Sequence, residues 1–274
     1  MSEQAVPEGK YQDIGDDLRV HYHEAGQGFP VLFLHGSGPG ASGYGNFKGN
    51  FPYFAKHGFR AIVPDTLGFG YSSKPENVDY DFPFVLGALK RFIGALGVQR
   101  CAVVGNSHGG AMAIALSLDE PSLVSKLILM APGGLEERER YMEMKGIRAM
   151  IRAVTAPEGI TRDGLRKVLG LQLFDATQIT DAVVEERFQI ASKQPSRVFT
   201  TLKVPFLSPR LGELPCPVLA FWGNEDQFCP VSGATTLSVQ CKDARVMRVS
   251  RCGHWVMVEH ARMFNEISAG FLAA

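Results

Sequence analysis

The stretch from Cys101 to Gly110, Cys-Ala-Val-Val-Gly-Asn-Ser-His-Gly-Gly, leaves this chain few folds to choose from. Apolar residues over 101–104 suit a buried strand and Ala-Met-Ala-Ile-Ala-Leu-Ser-Leu over 111–118 suits a helix, so Ser107 falls where strand becomes helix. A turn that sharp brings the flanking backbone so close that a side chain two residues before or after the serine would clash, which accounts for Gly105 and Gly109. The helix N-terminus adds a partial positive charge behind the hydroxyl. Ser107 is therefore expected to be a nucleophile. In a chain with 30 glycines a bare Gly-x-Ser-x-Gly carries little weight, so the strand, the helix and the partners elsewhere in the chain must support it.

Strands and helices alternate on both sides of this elbow. Tyr11-Gln-Asp-Ile and Leu18-Arg-Val-His-Tyr-His flank Gly15-Asp-Asp as a hairpin, an antiparallel edge to a sheet. Val31-Leu-Phe-Leu reads as a strand buried on both faces and runs into the loop His35-Gly-Ser-Gly-Pro-Gly40. Residues 46–57 are expected to form one helix ending at Gly58, followed by a strand over 60–65 and the glycine-rich loop Leu67-Gly-Phe-Gly-Tyr-Ser. Asp81 and Pro83 open a helix that buries Phe84, Val85, Ala88, Leu89, Phe92, Ile93 and Leu96 on one face and stops at Gly97. Lys126-Leu-Ile-Leu-Met-Ala131 is the next strand. From about 133 to 209 the rhythm gives way to helical patterns rich in Glu, Arg, Lys and Met, an inserted cap. Strands return near 215–223 and 244–250, with a helix over 231–240 between them and a last helix from about Val256 to Leu272. The expected class is α/β: a mostly parallel central sheet flanked by helices, with a core built from 1–132 and 210–274 and a helical cap over 133–209. Ligands of such sheets bind beyond the C-terminal ends of the strands, where every glycine-rich loop here lies.

Lys plus Arg and Asp plus Glu are both 28, so no basic field attracts nucleic acid, and a small molecule is the better partner. No apolar run approaches the roughly 20 residues that span a bilayer, and Met1-Ser-Glu-Gln-Ala-Val-Pro lacks the basic and apolar regions of a signal peptide. A cytoplasmic, membrane-free protein is expected. Five scattered cysteines with no Cys-x-x-Cys pair read as reduced thiols, not as a metal site.

A serine hydroxyl needs a base to take its proton, and the base needs a carboxylate to hold its tautomer. His21 and His23 lie on the hairpin, His57 near a helix end and His260 inside the last helix, all in surface or packing contexts. His254 follows the last strand, at the same sheet edge as Ser107, and is the expected base. Asp226, in Trp222-Gly-Asn-Glu-Asp-Gln227, is the expected acid; the adjacent Glu225 would point the other way. The alkoxide formed on a carbonyl needs backbone N–H donors, expected at His108, directly after the nucleophile, and at Ser37 in the 35–40 loop. That loop lacks the Lys-Ser/Thr ending of a phosphate-binding P-loop.

Serine, acid and histidine in this order, with Gly-Asn-Ser-x-Gly-Gly at 105–110, resemble the α/β-hydrolase superfamily. Within it, His35-Gly-Ser-Gly-Pro-Gly-Ala-Ser-Gly-Tyr-Gly-Asn46, Asp65-Thr-Leu-Gly-Phe-Gly-Tyr-Ser72, Phe174-Asp-Ala-Thr-x-x-Thr-Asp-Ala182 and Cys252-Gly-His-Trp-x-x-x-Glu-His260 resemble the bacterial meta-cleavage-product hydrolases, from about residue 18 to the C-terminus. Those enzymes cut a carbon-carbon bond in 2-hydroxy-6-oxohexa-2,4-dienoates, the ring-opened products of catechol cleavage. The resemblance implies the α/β-hydrolase fold, no metal or organic cofactor, and a homodimer. It implies that Arg187 pairs with the substrate carboxylate, whereas composition alone, with Glu185 and Glu186 beside it, reads Arg187 as part of a solvated helix face. Gly36, Asn46, Asn106 and Trp255 are implied as further substrate contacts. One departure is His108, where the family commonly has methionine.

The implied reaction is hydrolysis of the bond between carbons 5 and 6, giving 2-hydroxypenta-2,4-dienoate and a carboxylic acid. Ketonisation first places a proton on carbon 5; Ser107, or water held by Ser107 and His254, then attacks the carbon 6 ketone. Acyl-enzyme and gem-diol routes are equally compatible with the sequence. A carboxylesterase using the same triad is the alternative reading, and a ligand-binding module on a retired hydrolase scaffold is a third.

Overall fold

Leu32, Leu34 and Val103 pack into one buried cluster and Val31, Phe33, Ala102 and Val104 into another, so successive residues of the central strands feed opposite faces of one sheet. The computed structural model describes residues 6–274. The expectation drawn from the N-terminal Met1 to Ala5 lies outside the described residues.

The eight strands are β1 (Lys10–Asp13), β2 (Arg19–Ala25), β3 (Phe29–Leu34), β4 (Phe59–Pro64), β5 (Cys101–Asn106), β6 (Val124–Met130), β7 (Val218–Gly223) and β8 (Ala244–Val249). They lie in the order β1-β2-β4-β3-β5-β6-β7-β8. The expected hairpin supplies the antiparallel edge, β1 on β2 and β2 on β4, and all other pairs are parallel. Its turn uses the left-handed region three times in succession, at Gly15, Asp16 and Asp17, residue types that tolerate it.

One face of the sheet is covered by the helices Phe82–Ala95, His108–Asp119 and Ser232–Gln240. The other is covered by Phe51–Lys56 and Ala261–Ala273, together with Leu165, Leu169 and Leu173 from the segment between β6 and β7. Phe33, Phe54, Phe92 and Trp222 are fully buried in this packing, each contributing on the order of 1.5–3 kcal/mol. Asp81 caps the helix Phe82–Ala95 as expected, accepting from the Phe84 N–H at 2.9 Å, and Gly97 follows with φ +67°.

Every described element between β6 and β7 is helical, seven pieces from Arg138–Glu143 to Ser208–Glu213. Two expected helices are interrupted. Residues 46–57 form Gly43–Phe47 and Phe51–Lys56, because Pro52 has no N–H to continue a helix and the buried Asn50 amide donates to Met257 O and Asn265 Oδ1 at 2.9 Å each. The last helix is split into Val256–Glu259 and Ala261–Ala273 at His260. There the chain changes direction so that Phe264 reaches Phe221 of β7, their rings 5.2 Å apart. Among the described residues no helix is long and apolar enough to cross a membrane, and all five cysteines are buried free thiols.

Candidate active site

The parallel strands place the ends of β3, β4, β5, β7 and β8 on one edge, and the expected site residues other than Arg187 follow those ends. After β5 the backbone reaches Ser107 with φ +55° and ψ −118°, a strained conformation for a residue with a side chain. It is held there by three backbone bonds: the Ser107 N–H donates to Met130 O at 3.0 Å, and Ser107 O accepts from Ala111 and Gly133 at 3.0 and 2.9 Å. A Cβ at Gly105 would sit 2.5 Å from Gly109 O, and one at Gly109 would sit 2.1 Å from Leu34 O. Both glycines are required by contact with neighbouring backbone, as the elbow demands.

After β7, Asp226 turns back under its own loop. One carboxylate oxygen accepts from the N–H groups of Phe228 and Cys229 at 2.7 and 2.9 Å, and the other lies 2.7 Å from His254 Nδ1. Both side chains are buried. With its Nδ1–H donated to the carboxylate, the imidazole keeps a free lone pair on Nε2. Glu225 points elsewhere, its carboxylate accepting from the Cys252 N–H at 3.0 Å.

Ser107 stands where two cavities meet. A narrow one of about 50 Å³ is lined by Gly36, Asn46, Asn106, Arg187, His254 and Trp255, with Gln172 and Phe228. A larger one of about 330 Å³ runs under the helical segment, lined by His108, Tyr141, Met142, Phe199, Leu202, Phe206 and Cys229. Ser37, Ser107, Ile147 and Met150 belong to both walls. Gly36 packs on the elbow, since a Cβ there would lie 3.3 Å from Asn106 Oδ1 and from Ser107 Cβ. His35 shapes that loop: its Nδ1–H donates to Gly36 O at 2.7 Å and its Nε2 accepts from the Thr66 N–H at 3.0 Å. Burial lowers its pKa, so the ring stays neutral.

Arg187 departs from the solvated face that composition suggested. It is 3% exposed, because its helix Asp181–Ala191 turns that side chain inward while Glu185 binds Arg162 outside. Its guanidinium donates to Asn46 Oδ1 at 2.8 Å and to Gly40 O at 3.4 Å, and it lies 5.1 Å from the centre of the Trp255 ring. No carboxylate of the described residues is at ion-pair distance. Burial lowers its pKa, opposed by the more distant Glu186 and Asp65. Asn46 is fixed in turn by the short helix Gly43–Phe47, whose first N–H binds Asp65 Oδ1 at 2.7 Å. Asp65 is clamped by the buried His21, 2.8 Å away.

His108 occupies the first turn of the helix His108–Asp119, and its ring packs edge-on to Phe82 at 5.9 Å. Among the described residues neither buried ring nitrogen has a hydrogen-bond partner, and burial with the nearby His35 lowers its pKa to about 3. It is a neutral, packing imidazole. Asn106 Oδ1 and Gln172 Oε1 are likewise buried with no donor among the described residues. Gln172, Ile147, Met150 and Cys229 escaped the sequence reading as cavity residues. The first three come from the segment between β6 and β7, where an inward residue on an amphipathic helix looks like any packing residue, and Cys229 only follows Asp226 along the chain.

Residues 31–267 match the family model described as "Alpha/beta hydrolase family". The chain is 35% identical over 266 residues to the 2-hydroxy-6-oxo-6-phenylhexa-2,4-dienoate hydrolase of Burkholderia cepacia, covering 94% of this chain and 92% of that one. It is equally similar, 35% over 266 residues with the same coverage, to a 2-hydroxy-6-oxononadienedioate/2-hydroxy-6-oxononatrienedioate hydrolase of Comamonas testosteroni. Among solved structures it resembles a meta-cleavage product hydrolase from Pseudomonas fluorescens IP01 complexed with acetates, with a TM-score of 0.85, 29% identity and 97% of both chains covered.

Proposed function

The chain belongs to the alpha/beta hydrolase family and, within it, to the meta-cleavage product hydrolases; from that premise we propose that it hydrolyses the C5–C6 bond of a 2-hydroxy-6-oxohexa-2,4-dienoate to 2-hydroxypenta-2,4-dienoate and a carboxylic acid. One observation carries the reading. Arg187 is a buried cation with no carboxylate of the described residues at ion-pair distance, on the wall of the cavity that Ser107 and His254 also line. Leaving such a charge unpaired is costly, and a substrate carboxylate at that end supplies the missing partner. An ordinary ester has no need of it.

In this reading the dienoate end occupies the narrow cavity, its carboxylate on Arg187 and its 2-hydroxyl among Asn46 and Asn106, with Gly36 and Trp255 shaping the walls. The carbon 6 substituent extends into the larger, mostly apolar cavity, and the helical segment 133–209 serves as the cap that closes both. The proton lost from the 2-hydroxyl is delivered to carbon 5, with His254 as shuttle, giving the 2,6-dioxo tautomer. Ser107 Oγ, its proton passing to His254 Nε2, or a water activated by the same pair, then adds to carbon 6. The oxyanion is held by the N–H groups of His108 and Ser37. As the C5–C6 bond breaks, its electron pair departs as a delocalised dienolate that takes the imidazolium proton. On the serine route a water deprotonated by His254 then frees the acyl group from Ser107 as the carboxylic acid, its proton returning to Ser107 Oγ. On the water route the acid leaves directly, and Asp226 stabilises the imidazolium whenever it forms. We extend the proposal to a homodimer, which rests on the resemblance.

The test compares turnover of the yellow dienolates, followed by loss of absorbance, with turnover of nitrophenyl esters. Arg187→Ala is expected to lower kcat/KM for dienoates by roughly a hundredfold or more while leaving ester hydrolysis nearly unchanged. Turnover of esters alone, with no effect of Arg187→Ala on either substrate, would make the protein a carboxylesterase.

A further inference from the structure

Glu259 stands outside both cavities and takes no part in the chemistry above, yet its carboxylate joins two segments far apart in sequence. Oε2 accepts from the Gly253 N–H at 2.6 Å, and Oε1 accepts from the Phe174 and Asp175 N–H groups at 2.7 and 3.3 Å. The first donor immediately precedes His254; the others belong to the helical insertion. The same two segments meet again one residue further in: Gln172 O accepts from the N–H groups of His254 and Trp255 at 2.7 and 3.2 Å. A Cβ at Gly253 would lie 2.6 Å from Gln172 O, so the two backbones are in direct contact.

The His254 loop therefore owes its position to the insertion as well as to the sheet. It leaves β8 through Arg251, at φ +55°. Its other side is held by the Cys252 N–H on Glu225 and by the Glu225 N–H on Cys252 O at 3.1 Å. That arrangement fixes the loop against β7 and Asp226, and Glu259 fixes it against residues 172–175. Since Gln172 also lines the Ser107 cavity, whatever seats this part of the insertion on a ligand acts on the backbone of the base.

We propose that Glu259 is a positioning residue that couples seating of the 172–175 segment to the alignment of His254. The proposal rests on the reading of His254 as the base. It depends on the carboxylate specifically, because three N–H groups converge on two oxygens that must both accept. A glutamine fills the same volume but offers one oxygen, and its NH₂ would face an N–H donor on the other side. Packing alone cannot distinguish Glu from Gln here; this hydrogen-bond pattern does.

The test uses Glu259→Gln and Glu259→Ala, with kcat and KM measured on whichever substrate the wild-type protein turns over and normalised to folded protein by circular dichroism. His254→Ala on the same substrate reports separately on the base. Both Glu259 variants are expected to lose at least about tenfold in kcat, approaching a hundredfold, as misplacement of a catalytic group does. KM should move by no more than about threefold, since no substrate contact is removed. Amide exchange at Gly253 and Phe174 should accelerate together. If Glu259→Gln keeps wild-type kcat and slow exchange at both amides, the proposal is wrong. Should Glu259→Ala fail to fold, Glu259→Gln decides. Inactivity of His254→Ala beside unchanged Glu259→Gln would remove the coupling and leave the base assignment standing.

Discussion

His108 directly follows Ser107, and its environment makes it a liability for folding. Among the described residues neither buried ring nitrogen has a hydrogen-bond partner, and its pKa falls from 6.5 to about 3. The unfolded chain takes up this proton on acidification while the folded chain does not. Stability is therefore full above about pH 6.5 and declines as the pH drops toward 3, at about 1.4 kcal/mol per pH unit for this one proton. His35, also lowered by burial, adds to the same acid sensitivity. His108→Met removes two unpartnered nitrogens and one proton site. It should raise stability near neutrality by about 1–3 kcal/mol and flatten the decline below pH 6.5. Urea unfolding at about pH 7 and about pH 5 checks both; an unchanged pH dependence would show that His108 is not the group responsible. At this scale the positions of Ser107, Asp226 and His254 after strands were legible, and in the structure Asp226 lies 2.7 Å from His254 while Ser107 and His254 line one cavity; their catalytic roles belong to the proposal. Sequence alone could not reach the burial of Arg187, which depends on which face of an inserted helix turns inward. Charged neighbours at 185 and 186 say nothing about that face.

The elbow is the element that tolerates least change. Gly109 approaches Leu34 O so closely that a Cβ there would be 2.1 Å from it, and no side-chain rotation relieves a clash between backbones. Gly109→Ala should destabilise by about 3 kcal/mol or more, by overpacking, and the folded remainder should lose roughly a hundredfold in kcat/KM as Ser107 is displaced. A Tm and kcat/KM equal to wild type would contradict the steric account. The alternation of strands and helices was legible for the same reason the elbow was: strands buried on both faces read as continuous apolar runs, and Asp81 and Gly97 mark helix ends chemically. The interruptions at Asn50 and His260 were not read, although Pro52 marks the first of them locally. The rest is set by tertiary partners, Met257 and Asn265 for the one and Phe221 for the other, which local pattern does not contain.

Over the whole molecule the sheet edge supplies the groups proposed to react, and the segment between β6 and β7 supplies much of the walls. Ser107 and His254 leave the sheet, whereas Arg187, Gln172, Ile147 and Met150 come from the segment between β6 and β7. The gathering of Ser107, Asp226 and His254 at one sheet edge was therefore legible from strand order, but the shape and polarity of the cavities were not, because they arise only when the helices between β6 and β7 pack across the strand ends. Carbon-carbon cleavage is the central claim, and identifying the products tests it most directly. Incubation with 2-hydroxy-6-oxo-6-phenylhexa-2,4-dienoate, followed by mass spectrometry, should yield 2-hydroxypenta-2,4-dienoate and benzoate in equal amounts, and neither with Ser107→Ala at comparable times. Recovery of intact dienoate from the wild-type protein, with alkyl as well as aryl groups on carbon 6 and under conditions where nitrophenyl esters are hydrolysed, would contradict the account.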